Sequence, residues 1–199
     1  MKMQDLSEMT LKAGDLSNSL NLIFQRIKRE HDNFEHIGDI GNIKVLQNEN
    51  FYLLEVDEPI GFFEVLSIND SRLEIRNAFI DQSQRGNNLF EKFVWFLKRI
   101  LHFKEIQLGD IHSQDTVALL KKLSLRFDIS WEKGSEKEKY SPEKADNFYS
   151  VKKPTGWKIV LENDGDFSSW PRFNKGVING KEVDMSLDVR SDYSWVFND

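Results

Sequence analysis

No cysteine occurs among the 199 residues. Disulfides, thiolate metal ligands and a cysteine nucleophile are therefore excluded. No apolar run approaches the length of a membrane span. The amino terminus lacks the pattern of a signal peptide, so the expected compartment is the cytoplasm. Positive charge is in the minority: 27 Lys and Arg against 33 Asp and Glu leave a net charge of -6. That argues against nonspecific nucleic-acid binding over the whole surface, while leaving room for a local basic patch. Histidine is scarce. Of His31, His36, His102 and His112, the first two are five apart, off the i,i+4 spacing of a helical metal site, and no metal site is expected.

Aromatic residues are plentiful, with 15 Phe and 5 Trp to build a core. A composition 39% hydrophobic and 30% charged is that of a folded, soluble chain rather than a disordered one. The length allows one domain with an extension, or two small ones.

The stretch from Leu73 to Phe103 organises the rest. Leu73–Ile80 alternates and is rich in β-formers, which predicts a strand. Asp81–Asn88 is a polar loop with one Gly. From there Leu89, Phe93, Phe96, Leu97, Ile100 and Leu101 recur at helical spacing. A strand, a polar loop and a helix start make either an ordinary turn of an α/β unit or an anion site. The second follows because the first helical turn has free N–H groups and a positive dipole end.

Around this stretch the elements are regular. Asp15–Glu30 carries Leu16, Leu20, Ile23, Phe24 and Ile27 as an amphipathic stripe, a helix capped by Asp15 or Ser17. His31–Asn42 is polar with two Gly and reads as a loop. Ile43–Gln47, Asn50–Val56, Ile60–Ile68 and Leu73–Ile80 form an antiparallel meander, since the turns between them are too short for parallel crossovers. Pro59 belongs to a turn, because it cannot donate within a central ladder. Glu105–Ile111 returns as a strand parallel to 73–80. Ser113 or Asp115 caps a second helix bearing Val117, Leu120, Leu123 and Leu125, and Phe127–Glu132 is a further strand.

The run Gln84-Arg85-Gly86-Asn87-Asn88-Leu89-Phe90 resembles motif A of the GNAT superfamily, the CoA-dependent N-acyltransferases. That pattern is Arg/Gln-x-x-Gly-x-Gly/Ala at the start of the main helix. Arg85 and Gly86 match, whereas Asn88 and Phe90 stand where the family has Gly and Gly or Ala. The helix after 113 resembles motif B, with Ser113 at its Asn position, Leu120 at its Tyr position and Leu123-Ser124-Leu125 at Leu-Gly-Phe. The implied fold is α+β: a mixed antiparallel and parallel central sheet flanked by helices. The domain organisation read from the chain is a GNAT-like domain over 1–132, a charged linker over 133–155, and a β-rich aromatic extension over 156–199.

The resemblance implies acetyl-CoA as co-substrate and an amine, on a small molecule or a macromolecule, as acceptor. Backbone N–H groups of Arg85, Gly86, Asn87, Asn88, Leu89 and Phe90 would hold the pyrophosphate, with the Arg85 side chain adding a bond to phosphate or, equally, a surface ion pair. Asn88 is the best substitute for Gly in a left-handed conformation. The acyl-pantetheine arm would lie along Phe79, Ile80 and Gln82, and an N–H near Ala78 would polarise the thioester carbonyl. Glu74 stands about where some members place a carboxylate base. Glu64 is a second candidate, and Asp110 or His112 a third. With Leu120 at the position of the family's acidic Tyr, water or Ser113 would reprotonate the thiolate.

Two other readings stay open: a GNAT fold that binds or inhibits a partner without catalysis, and a structural α+β protein that shares the order of elements by chance. The tail contains Trp157, Phe167, Trp170, Phe173, Tyr193, Trp195 and Phe197. These residues either pack on the core or form a partner surface. Within the tail, Asn179-Gly180 between β-formers predicts a hairpin with a type I′ turn.

Overall fold

The computed structural model describes residues 13–100, 105–108, 114–125, 127–141, 158–162 and 175–185. α1 (Ala13–Glu30) turns Phe24 and Ile27 inward, one turn apart, with Leu20 and Ile23 packed partly buried beside them. Arg26 and Glu30 pair at 3.0 Å across one turn, and the Lys28 ammonium lies 4.9 Å from the centre of the Phe24 ring.

Five antiparallel strands follow as a meander: β1 (Glu35–Ile40), β2 (Ile43–Asn48), β3 (Phe51–Glu55), β4 (Pro59–Asn69) and β5 (Arg72–Ile80). β1 corrects the sequence reading, which expects a loop over His31–Asn42. It is an edge strand with a bulge between His36 and Gly38, and only Ile40 on it is fully buried. An edge strand with one wet face has no need of an apolar run, so its composition looks like a loop. Pro59 also joins the ladder, as the first residue of β4 opposite Glu55. A first position tolerates a missing N–H.

α2 (Leu89–Ile100) crosses over to β6 (Glu105–Leu108), which runs parallel to β5. α3 (Gln114–Leu123) leads to β7 (Asp128–Lys133), and β8 (Glu136–Lys139) folds back on β7 as a hairpin. The charged stretch expected as a linker from 133 thus begins as a strand. Its alternating charges are all exposed, which an outermost strand permits. β9 (Lys158–Glu162) is the larger correction. Expected at the start of a C-terminal extension, it lies inside the main sheet, antiparallel to both β6 and β7. The order is β1-β2-β3-β4-β5-β6-β9-β7-β8. Ile159, Val160 and Leu161 are buried on both faces, so β9 reads as a continuous apolar run. β10 (Lys175–Ile178) and β11 (Lys181–Asp184) form the predicted hairpin, with Asn179 and Gly180 both at positive φ in its turn.

The sheet has a core on each face. Under α1 lie Phe24, Ile27, Phe34, Leu46, Leu53 and Phe62. On the other face α2 and α3 bury Phe93, Phe96, Leu97, Val117, Leu120 and Leu123 against Tyr52, Phe63, Leu73 and Ile106. Phe63 stacks on Phe93 at 3.9 Å. The order of helix, meander, loop, helix, parallel strand, helix and strand is the one the GNAT resemblance implies.

Leu161 is fully buried between β6 and β7. Leu161→Ala should shift one cooperative urea transition of the whole sheet, by about 2–5 kcal/mol. An unmoved midpoint would mean that β9 is not part of the folding unit.

Candidate functional site

β5 pairs with β4 along its whole length, but with β6 only from Arg72 to Ile75. A bulge at Arg76 separates the two halves, since Ile75 lies opposite Val65 and Asn77 opposite Glu64. Beyond it the ladder toward β6 ends among the described residues. The Asp81 N–H donates to the Ile60 carbonyl of β4 at 3.0 Å. By strand alternation, the backbone groups of Ile80 and Ala78 then face away from β4, toward the open edge. The Arg85 Nε–H confirms this side by donating to the Ile80 carbonyl at 3.2 Å.

The loop after β5 is built by its own side chains. Asp81 Oδ1 accepts from the Ser83 N–H at 3.0 Å and from the Ser83 hydroxyl at 2.7 Å. The hydroxyl bond is the main reason that the Asp81 carboxyl lies below its usual range. The backbone bond and the charges of Lys28 and Arg85 add to it, against an upward push from burial. The Gln84 and Arg85 N–H groups turn back to the Asp81 and Gln82 carbonyls, at 2.9 and 3.4 Å. No acceptor among the described residues takes the N–H of Gly86, Asn87, Asn88, Leu89 or Phe90. Of the six donors expected in the cradle, five are therefore free, and that of Arg85 is used within the loop.

Gly86 and Asn88 both have positive φ, 89° and 59°. Asn88 thus adopts the left-handed conformation that its place in the motif requires. A Cβ added at Gly86 would meet no atom within 4 Å, so the loop is open immediately beside this residue. Phe90 turns inward, edge-on to Phe63 at 5.6 Å, and leaves that space clear.

The charges at this helix start are mixed. Glu91 sits in the first turn of α2, largely buried. Lys122 of α3 bonds Asn88 Oδ1 and lies 3.3 Å from Glu91 Oε2. The ammonium offsets the carboxylate beside the free N–H groups. Nothing in the local sequence pointed to Lys122, which reaches the loop from another helix.

Glu64 is buried and accepts from Asn77 Nδ2 at 2.5 Å. It lies opposite Asn77, the second residue of β5 beyond the β6 pairing. Glu74 lies within that pairing, opposite Gln107, which donates to it at 3.0 Å, and the Lys158 ammonium is 3.7 Å away. The two carboxylates therefore sit on opposite sides of the point where the strands part. Leu120 is fully buried in the core. Asp110, His112, Ser113 and the aromatic residues Trp157, Phe167, Trp170, Phe173, Tyr193, Trp195 and Phe197 lie outside the described residues. Among the described residues, no three His, Asp or Glu gather to hold a metal ion, and no helix is long and apolar enough to cross a membrane.

No protein-family model matches the sequence, and no curated protein matches it. Among solved structures the chain is similar to a GNAT family acetyltransferase from Elizabethkingia anophelis with acetyl-CoA bound. There the identity is 16% and the TM-score 0.36, over 60% of this chain and 74% of that one. An acetyltransferase from Streptococcus agalactiae aligns at 13% identity and a TM-score of 0.38, over 79% of this chain and 82% of its own. The IAA acetyltransferase from Bacillus cereus aligns at 14% and 0.38, over 77% and 96%.

Two measurements test the loop. Asn88→Ala should be less stable than Asn88→Gly by about 1 kcal/mol in urea, since both lose the Lys122 contact and only Ala is strained at positive φ. Asp81→Ala should cost about 1 kcal/mol at pH 7 as a lost cap. Because folding depresses this carboxyl, its contribution is complete above the ordinary Asp value of 3.8 and fades as pH falls through the lower folded value. The two stability curves should converge in acid, and a gap constant with pH would refute the assignment.

Proposed function

We propose that this chain is an acyltransferase that moves an acetyl group from acetyl-CoA to an amine. One observation carries the reading: the row of free N–H groups from Gly86 to Phe90 lies directly after the edge where β5 and β6 part. A pyrophosphate fits such a row because the donors have no partner among the described residues, the dipole of α2 adds positive character, and Lys122 supplies a cation. The motif A resemblance supports the same ligand at the same residues.

The roles follow from position. Gly86, Asn87, Asn88, Leu89 and Phe90 hold the phosphates through their backbone, and Arg85 stands at the rim. The open edge of β5 at Ala78 and Ile80 takes an amide-bearing arm, flanked by Phe79 and Gln82. Acetyl-CoA, when bound, supplies the acyl group as a thioester. The Ala78 N–H donates to the carbonyl oxygen on which charge develops. Glu64 removes the proton that the amine must lose before attack, and Asn77 fixes its carboxylate. Glu74 is held inside the ladder by Gln107 and Lys158, which makes it a structural residue in this reading. Leu120 has no proton to give, so the leaving thiolate is reprotonated by water or by Ser113.

A specific observation favours a second reading. The buried Leu120 and the carboxylate of Glu91 at the helix start suit a fold that binds a macromolecule without turnover, with the aromatic tail as the partner surface. Such a complex would survive Gly86→Trp, which fills the space above the loop.

Calorimetric titration with acetyl-CoA, with CoA as control, separates the two. Micromolar binding that disappears in Gly86→Trp is expected. With an amine acceptor in hand, Glu64→Gln should lower turnover by about 10²–10⁴-fold at unchanged cofactor affinity, while Glu74→Gln stays near wild type. Absence of binding at millimolar ligand would rule out the transferase reading.

A further inference from the structure

The β10–β11 hairpin lies against the loop that the proposed function assigns to phosphate. Asn87 Nδ2 donates to the Val177 carbonyl at 2.9 Å, and Asn87 Oδ1 accepts from the Val177 N–H at 3.3 Å. One side-chain amide thus pairs with a strand residue in both directions, as a neighbouring strand would. The same Nδ2 also donates to the Gln84 carbonyl at 3.2 Å, tying the loop to itself. Gln84 is nearly inaccessible to solvent. Its Nε2 donates to Asn179 Oδ1 at 2.5 Å, and its Oε1 accepts from the Asn179 N–H at 3.4 Å. Gly176 leaves room for this contact: a Cβ there would lie 2.3 Å from Met185 Sδ and 3.3 Å from Asn87 Oδ1.

The hairpin is held independently of the loop. Ile178, Val183 and Met185 are buried in the main core. The Asn42 N–H donates to the Asp184 carbonyl at 2.8 Å, and Lys181 pairs with Asp57 at 2.5 Å. It is therefore a fixed platform, and the loop is the part that leans on it. The loop is also tied by the turn bonds at Asp81 and Gln82, by the Gln84 bond to Ser83, by the Arg85 bond to Ile80, by the Lys122 contact to Asn88, and at its end by Leu89 and Phe90 in the core.

We propose that Gln84, Asn87 and Asn179 are positioning residues: through them the hairpin holds the 84–90 loop with its free N–H groups turned outward, ready for an anion. This rests on the proposed function for the identity of the anion, not for the bracing itself. A preorganised row of donors binds without first losing loop entropy, so the effect appears in affinity. By linkage, a bound cofactor also strengthens hairpin docking.

Asn179→Gly and Asn87→Ala test this in the full chain. Gly retains the type I′ turn and deletes only the carboxamide. Amide order parameters of Gly86, Asn87 or its replacement, and Asn88 should be about 0.85 in the wild type and fall below about 0.6 in the variants, with β3 amides unchanged. The dissociation constant for CoA should rise roughly tenfold while the cooperative unfolding transition is kept, its midpoint lowered by the unpaired Gln84. Order parameters that do not change would overturn the bracing. A loosened loop with unaltered CoA affinity would overturn its role in binding. If the wild type binds no CoA, the proposed function fails, and the order parameters alone decide whether the hairpin holds the loop.

Discussion

A buried strand must find a partner for every backbone N–H and C=O, and among the described residues β5 has one on both sides only as far as Ile75. The proposed site is built around that interruption. The bulge at Arg76 shifts β5 by one residue against β4, and the strands beyond it cease to be a closed ladder. Among the described residues the edge at Ala78 and Ile80 turns away from β4, and the Ile80 carbonyl on it takes the Arg85 Nε–H. The chain then has only the Asp81–Asn88 loop in which to turn before α2 begins. A strand that stayed paired to its end would leave no such edge for the ligand proposed above.

The helix start beyond that loop is electrostatically balanced rather than simply positive. Free N–H groups and Lys122 favour an anion, and Glu91 disfavours one. Lys122 bonds both Asn88 and Glu91, so one ammonium fixes the left-handed residue and masks the carboxylate. Phe90, which departs from the family pattern, packs on Phe63 as a core residue. Its departure alters packing under the loop and leaves the surface above it open. Leu120 is different. It is fully buried in the core and has no proton to give, at the position where the motif it resembles has a Tyr.

Periodicity made most elements legible. Phe24 and Ile27 one turn apart, the alternation along 73–80, and the spacing of Phe93, Phe96 and Leu97 each bury one face of a regular element, and that requirement is written locally. Asn179-Gly180 was readable because a type I′ turn needs positive φ at both positions. β1 was not, because an edge strand with a wet face has the composition of a loop. The place of β9 was not either. Ile159-Val160-Leu161 reads as a strand, but whether it extends a separate unit or enters between β6 and β7 depends on which strands lack a neighbour.

By itself the sequence determined most of the elements, the left-handed residues Gly86 and Asn88, and the polar loop between a strand and a helix. These are set by side-chain volume, branching and φ preference within a few residues. Only the tertiary structure decided which donors are free, which carboxylate stands at the parting of the strands, and what the loop leans on. Glu64 and Glu74 look alike in the chain and differ because one faces Asn77 and the other Gln107. Asn87 meets Val177 ninety positions later in the sequence, a distance that only the closing of the core around Ile178, Val183 and Met185 could bring to 2.9 Å.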